Sequence, residues 1–105
     1  MQFEFVLYQQ LQTPTGCRTF FKLFSSMVPP SIGWSIQQFD WNEEGHKVED
    51  VYINPHGVCF VGLEKLNGRD DEELLAYYLK DFACWIEEDE DSDRWRMPIE
   101  SFRSA

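Results

Sequence analysis

A chain of 105 residues suits one domain, which can bury a core without disulfides or a structural metal. Its content of 43% apolar and 16% aromatic residues is not that of a disordered chain. The 19 acidic and 9 basic residues give a formal net charge of −10, which disfavours direct binding to nucleic acid or to an anionic membrane, because both need clustered lysine and arginine.

The first 30 residues predict a strand followed by a helix. Residues 2–11 alternate apolar and polar side chains, as a strand with one apolar face does. Thr13 and Pro14 suit the cap and the first turn of a helix. Residues 17–28 then carry apolar side chains at helical spacing, namely Phe20, Phe24 and Met27. We expect this helix to end at the two prolines that follow.

The middle of the chain predicts three further strands joined by turns. Residues 34–41 are rich in aromatic and β-branched residues, and the loop 42–45 connects them to a partner strand, 47–53. Residues 54–57, Asn-Pro-His-Gly, match a type I turn. The strand after this turn is apolar on both faces as far as Leu63. We therefore expect it in the centre of the sheet.

A second helix is predicted over residues 70–86. Asp70 or Asp71 can cap it, and its first turn is acidic, as the helix dipole favours. Apolar residues recur at intervals of three and four: Leu75, Tyr78, Leu79, Phe82 and Ile86. Pro98 excludes a regular helix across the segment that follows.

These elements predict an α+β fold with the order β-α-β-β-β-α and a C-terminal tail. Residues 1–94 should form a single domain, with a mainly antiparallel sheet of about four strands and two helices on one of its faces. Residues 95–105 should be a partly ordered tail that packs on this domain.

An acidic run after the second predicted helix is the main candidate site. Six of the seven residues from Glu87 to Asp93 are acidic. Carboxylates at the C-terminal end of a helix interact unfavourably with its dipole, and each destabilises the helix by about 0.3–1 kcal/mol. The run is either a solvated helix end or a surface that contacts a partner. For the second case the predicted contact residues are Glu87, Glu88, Glu90, Asp91 and Asp93, with Trp95 as an apolar anchor.

The charge balance predicts a small non-enzymatic protein that binds a basic partner and inhibits or adapts it. The partner would be a nucleic-acid-binding protein or a nuclease. In charge alone, the chain is similar to DNA mimics and to the immunity proteins of nuclease toxins. The alternative is a structural or assembly subunit that forms an obligate oligomer through an aromatic surface.

No motif supports catalysis or a cofactor. The chain contains no glycine-rich nucleotide-binding motif and no recognised nucleophile elbow. His56 and Cys59 are the only histidine and cysteine at short spacing, whereas a structural zinc site normally needs two such pairs. We therefore expect no metal. A small enzyme or metal protein that uses His56 and Cys59 remains a third hypothesis.

The expected location is the cytoplasm. The N-terminus has neither a basic region nor a small-residue cleavage site, so we expect no signal peptide. The three cysteines, an odd number in apolar surroundings, are typical of buried free thiols in a reducing compartment. No apolar run approaches the roughly 20 residues that span a bilayer.

Overall fold

The chain forms a mixed β-sheet. A computed structural model describes residues 2–37, 46–67, 76, 79, 85–88 and 93–103. Its strands are β1 (Phe3–Thr13), β2 (Gly16–Ser26), β3 (Ser35–Ile36), β4 (His46–Ile53), β5 (Cys59–Leu63), β6 (Leu66–Asn67) and β7 (Ile86–Glu87). Their order in the sheet is β3-β4-β5-β1-β2-β7, and β6 also pairs with β1. Two 3-10 helices follow, Arg94–Arg96 and Ile99–Phe102.

The predicted first helix, 17–28, is wrong, because this segment forms β2. Strands β1 and β2 pair antiparallel along their whole length, from Phe3 opposite Ser26 to Thr13 opposite Gly16. The turn between them contains only two residues. Gly16, the first residue of β2, has a positive φ of 136°, and the Thr13 hydroxyl donates a hydrogen bond to the Gly16 carbonyl at 2.8 Å. The residues that resembled a helix cap thus form a hairpin turn.

Burial on both faces explains why β2 resembles a helix in sequence. Phe20 and Phe24 point to one face of the sheet, whereas Phe21 and Leu23 point to the other. The first face carries a core of Phe5, Leu7, Leu11, Phe20, Val48, Val61, Leu63 and Trp85. The second carries Val6, Phe21, Val58, Phe60 and Phe102. A strand buried on both sides has an apolar spacing that overlaps with that of a helix.

The predicted α+β class, with two helices on one face of the sheet, is wrong. The elements defined by the described residues are strands and 3-10 helices. The second predicted helix, 70–86, lies outside the described residues except for Ala76 and Leu79, which are helical, and its last two positions. At that end, Ile86 belongs to β7, which pairs antiparallel with β2. The sheet is also mixed, since β1 and β5 are parallel.

Several strand predictions are confirmed. Strand β1 forms as predicted, and β5 lies inside the sheet between β4 and β1. The turn 54–57 joins β4 to β5, and its Asn54 Oδ1 accepts backbone hydrogen bonds from His56 and Val58 at 2.9 and 3.0 Å. The predicted strand 47–53 corresponds to β4. Of the predicted strand 34–41, Ser35 and Ile36 form β3, which pairs antiparallel with β4, and residues 38–41 lie outside the described residues. The predicted loop 42–45 lies outside the described residues.

The C-terminal segment, residues 93–103, lies on the second face. Phe102 is only 2% exposed and belongs to the core there, and Trp95, Met97 and Ile99 pack around it. The Asn54 side-chain amide donates to the carbonyls of Trp95 and Met97 at 3.2 and 2.9 Å. The segment therefore completes the second core.

Candidate functional site

The residues of the predicted acidic contact differ in their surroundings. Glu87 accepts two hydrogen bonds from Arg18, at 2.5 and 2.6 Å, so its charge is paired within the chain. Glu88 is exposed and accepts a bond from the indole N–H of Trp95 at 2.7 Å. Asp93 is exposed and lies 3.5 Å from the guanidinium of Arg96. Glu90 and Asp91 lie outside the described residues.

Trp95 packs into the second core. Its ring centroid lies 4.8 Å from that of Phe21, 4.9 Å from that of Tyr8 and 5.5 Å from that of Phe60. Only its N–H reaches a surface carboxylate, that of Glu88. The indole therefore holds Glu88 in place at the edge of the core.

A glycine allows a tyrosine to cross the sheet beside this tryptophan. Tyr8 in β1 is paired with Gly62 in β5, and Gly62 is paired with Asp50 in β4. A Cβ atom on Gly62 would overlap the Tyr8 ring, so the ring lies directly over this glycine. The Tyr8 hydroxyl reaches the far strand and donates to Asp50 Oδ2 at 2.8 Å. Burial, followed by this hydrogen bond, raises the pKa of Tyr8.

The charges of three carboxylates act on the neighbouring tyrosine, Tyr52. Tyr52 stacks on Phe60 with ring centroids 5.0 Å apart and an interplanar angle of 8°. Burial and, to a smaller extent, the negative charges of Asp50, Asp93 and Glu88 together raise the pKa of Tyr52 to about 12. These carboxylates come from two distant parts of the chain. We call the following set the Tyr52 cluster: Tyr8, Asp50, Tyr52, Glu88, Asp93 and Trp95.

The Tyr52 cluster is suited to binding a cation. Both tyrosines stay protonated at neutral pH, so the negative charge of the cluster resides on its carboxylates. A carboxylate has about four lone-pair positions, and Asp50 and Glu88 therefore retain acceptor capacity after one hydrogen bond each. Carboxylates beside aromatic rings suit guanidinium and ammonium groups, which form charge-assisted hydrogen bonds and contact ring faces.

The described residues give little support to metal binding or to catalysis by a cysteine. They contain no group of three histidine, cysteine or acidic side chains that could hold a metal ion. Cys59 is half-buried, and burial raises the pKa of its thiol, which disfavours the reactive thiolate. Cys17 is exposed, contrary to the expectation of burial. No helix among the described residues is long and apolar enough to cross a bilayer.

A second surface feature is an apolar groove of about 230 Å³ on the first face. Its apolar lining includes Phe5, Phe24, Val28, Trp34, Ile36 and Val48. The loop between β2 and β3 also exposes four large apolar side chains by 49–68%, those of Met27, Val28, Ile32 and Trp34. So many exposed apolar groups in one loop are typical of an interaction surface.

Tyr8, Asp50 and Tyr52 were not predicted as part of a site, because the Tyr52 cluster combines three segments that lie more than 30 positions apart along the chain. Gly62 was the available signal, since an isolated glycine in an apolar strand indicates close approach of another group. No local motif joins these residues. Comparisons of the chain with protein-family models, with curated proteins and with solved structures find no match.

Proposed function

We propose that the chain is a non-enzymatic cytosolic protein that binds a basic protein through the Tyr52 cluster and thereby inhibits or adapts it. The observation that carries this proposal is that Tyr8 and Trp95, which hold Asp50 and Glu88, pack against each other and against Tyr52, with ring centroids 4.9–6.4 Å apart. The net charge of −10 adds long-range attraction for a basic partner.

The fixed positions of two carboxylates favour binding over mere solvation. Asp50 is held by the Tyr8 hydroxyl and Glu88 by the Trp95 indole, and both donors belong to half-buried aromatic side chains. A group that is already positioned loses less conformational entropy when a partner docks. Trp95 is thus proposed to position Glu88 instead of acting as the apolar anchor expected from the sequence.

The partner is proposed to be a nucleic-acid-binding protein or a nuclease. Surfaces that bind phosphates are rich in lysine and arginine. The same side chains form charge-assisted hydrogen bonds with carboxylates. A partner bound at the Tyr52 cluster would therefore have part of its phosphate-binding surface covered.

Neutralising the three carboxylates tests this function. We expect Asp50→Asn, Glu88→Gln and Asp93→Asn together to weaken binding of a disordered arginine- and lysine-rich peptide by roughly tenfold. Each exposed charge pair contributes about 0.2–1 kcal/mol, and about 1.4 kcal/mol corresponds to tenfold. Fluorescence anisotropy of the labelled peptide, at low and at physiological ionic strength, measures the effect.

A charge-matched variant is the control. Glu4→Gln, Glu64→Gln and Glu100→Gln remove the same number of charges at other positions, so a local site predicts a clearly smaller loss of affinity. Equal losses in both triple variants would show that only net charge matters, and would contradict the proposed site.

A second candidate function, an assembly subunit, is favoured by the apolar groove and the exposed loop 27–34. Burial of these side chains in an oligomer would gain roughly 25 cal/mol per Å² of apolar surface. Such an association should resist salt, whereas binding through the Tyr52 cluster should weaken as salt screens the charges.

Light scattering during size exclusion tests the second candidate. If the groove is an oligomer interface, Trp34→Ser should lower the mass of the wild-type particle to that of a monomer at both low and high salt. Ile53→Ser is the matched control, since Ile53 is also exposed, by 69%, but lies at the end of β4, outside this loop. A wild-type protein that is already monomeric at high concentration would exclude this function.

A further inference from the structure

We call the side of β4 that faces away from β5 its outer edge. Some main-chain N–H and C=O groups of β4 point to this side. Val48 donates to the Trp34 carbonyl at 2.7 Å and accepts from the Gly33 amide at 2.9 Å, so its main-chain groups face outward. Asn54 instead donates to the Val58 carbonyl, on the side of β5. Main-chain groups alternate in direction along an antiparallel strand. Asn54 faces β5, so the residues one and three positions before it, Ile53 and Val51, direct their N–H and C=O groups outward.

A register shift at Glu49 explains why Val48 and Val51 both face outward although they are three residues apart. The pairing of β4 with β5 is irregular between Val48 and Asp50, which indicates a bulge. Strand β3 and the two residues before it pair with β4 only as far as Val48. Within the described ranges, nothing pairs with the outer edge of β4 from residue 49 to residue 53.

The side chains of this edge select for a basic occupant. Glu49 and Asp50 are exposed. Charged residues at an edge hinder unspecific pairing, and acidic ones repel acidic strands in particular. A second copy of this chain would also carry a net charge of −10, so repulsion disfavours it. A segment with lysine or arginine would instead find complementary charge.

The edge is also continuous with the Tyr52 cluster. Asp50 and Tyr52 belong to β4 and point to the second face. A strand added beside β4 would lie roughly 4.8 Å away, with alternate side chains on that same face. Basic side chains at alternate positions would therefore lie next to the carboxylates of the Tyr52 cluster.

We propose that the basic partner contributes an extended segment that pairs with the outer edge of β4, with alternating basic and apolar residues. Its backbone bonds to the outward N–H and C=O groups of Val51 and Ile53, as in other cases of strand addition. Its basic residues contact Asp50 and the carboxylates beside it. This inference rests on the proposed function, since it specifies how the same acidic surface binds.

Two variants of one exposed residue separate strand pairing from charge. Ile53→Pro removes an outward N–H without removing a bond to β5, and it leaves the net charge unchanged. Ile53→Ala removes most of the same side chain but keeps that N–H. We expect Ile53→Pro to weaken binding of a peptide that alternates lysine and valine by roughly tenfold relative to Ile53→Ala.

Methylated peptides provide a test that does not depend on the stability of the proline variant. N-methylation of every second residue removes the amides on one edge of the peptide, and methylation of the other residues removes those on the opposite edge. One methylated peptide should bind wild-type protein much more weakly than the other. Peptide binding should also slow hydrogen exchange at Val51 and Ile53.

The outcomes distinguish this inference from the proposed function. If both methylated peptides bind as tightly as the unmodified peptide and exchange at Val51 and Ile53 is unchanged, strand pairing is refuted. Continued sensitivity to neutralisation of Asp50, Glu88 and Asp93 would then leave the proposed function standing. If neutralising these three carboxylates had no effect on binding, the proposed function itself would be refuted.

Discussion

Replacing Phe102 by alanine is expected to lower the free energy of unfolding by about 3–5 kcal/mol, as for other buried phenylalanines. Phe102 is 2% exposed, and its ring centroid lies 5.7 Å from that of Phe21 and 5.5 Å from that of Phe60. The substitution would leave a cavity between the C-terminal segment and the second face. Because domains are stable by only about 5–15 kcal/mol, this loss is a large fraction of the total.

Urea denaturation measures this effect, and Phe3→Ala is its matched control. Phe3 is the same residue type near the other end of the chain, but it is 40% exposed, so its truncation should cost much less. If Phe102→Ala changed the stability by no more than about 0.5 kcal/mol, as surface substitutions do, the C-terminal segment would be a dispensable tail. That result would contradict the packing of residues 93–103 on the sheet.

Replacing Gly62 by alanine is expected to cost about 1–3 kcal/mol, the usual penalty for an overpacked core. The added methyl group would overlap the Tyr8 ring. Gly62 is not among the glycines with positive φ, so the penalty is steric and does not arise from backbone strain. Displacement of the ring would also separate the Tyr8 hydroxyl from Asp50, and should therefore weaken peptide binding at the Tyr52 cluster.

A double-mutant cycle identifies Tyr8 as the source of the penalty. In a Tyr8→Ala background the ring is absent, so Gly62→Ala should cost clearly less than in the wild type. In a Tyr8→Phe background the ring remains, so a large part of the penalty should persist. Equal penalties in the alanine and phenylalanine backgrounds would show that the ring does not lie over Gly62.

Local sequence patterns were sufficient to predict strand β1, the turn at residues 54–57 and the position of β5. The alternation in β1 and the Asn-Pro-His-Gly turn at residues 54–57 both depend on neighbours along the chain. The two apolar faces before Leu63 likewise placed β5 inside the sheet. These predictions were confirmed because turn chemistry and side-chain alternation act over a few residues.

The prediction of the segment 17–28 failed because two cores share one strand. Phe20 and Phe24 belong to the first core, and Phe21 belongs to the second. The spacing that results fits a helix as well as a strand covered on both faces. The second face of β2 is buried by the C-terminal segment, which lies about 80 residues further along the chain. No local pattern could therefore have revealed that burial.

For the candidate site, the sequence by itself determined the sign of the charge and hence the kind of partner expected, because net charge depends only on composition. The tertiary structure decided the surroundings of each carboxylate. It paired Glu87 with Arg18 and brought Asp50, from a strand far away in sequence, near the same tyrosine, Tyr52, whose pKa Glu88 and Asp93 also raise. Only the pairing of β4, β5 and β1 brings Asp50 within reach of Tyr8, because hydrogen bonds and charge interactions depend on distance in space and not on distance along the chain.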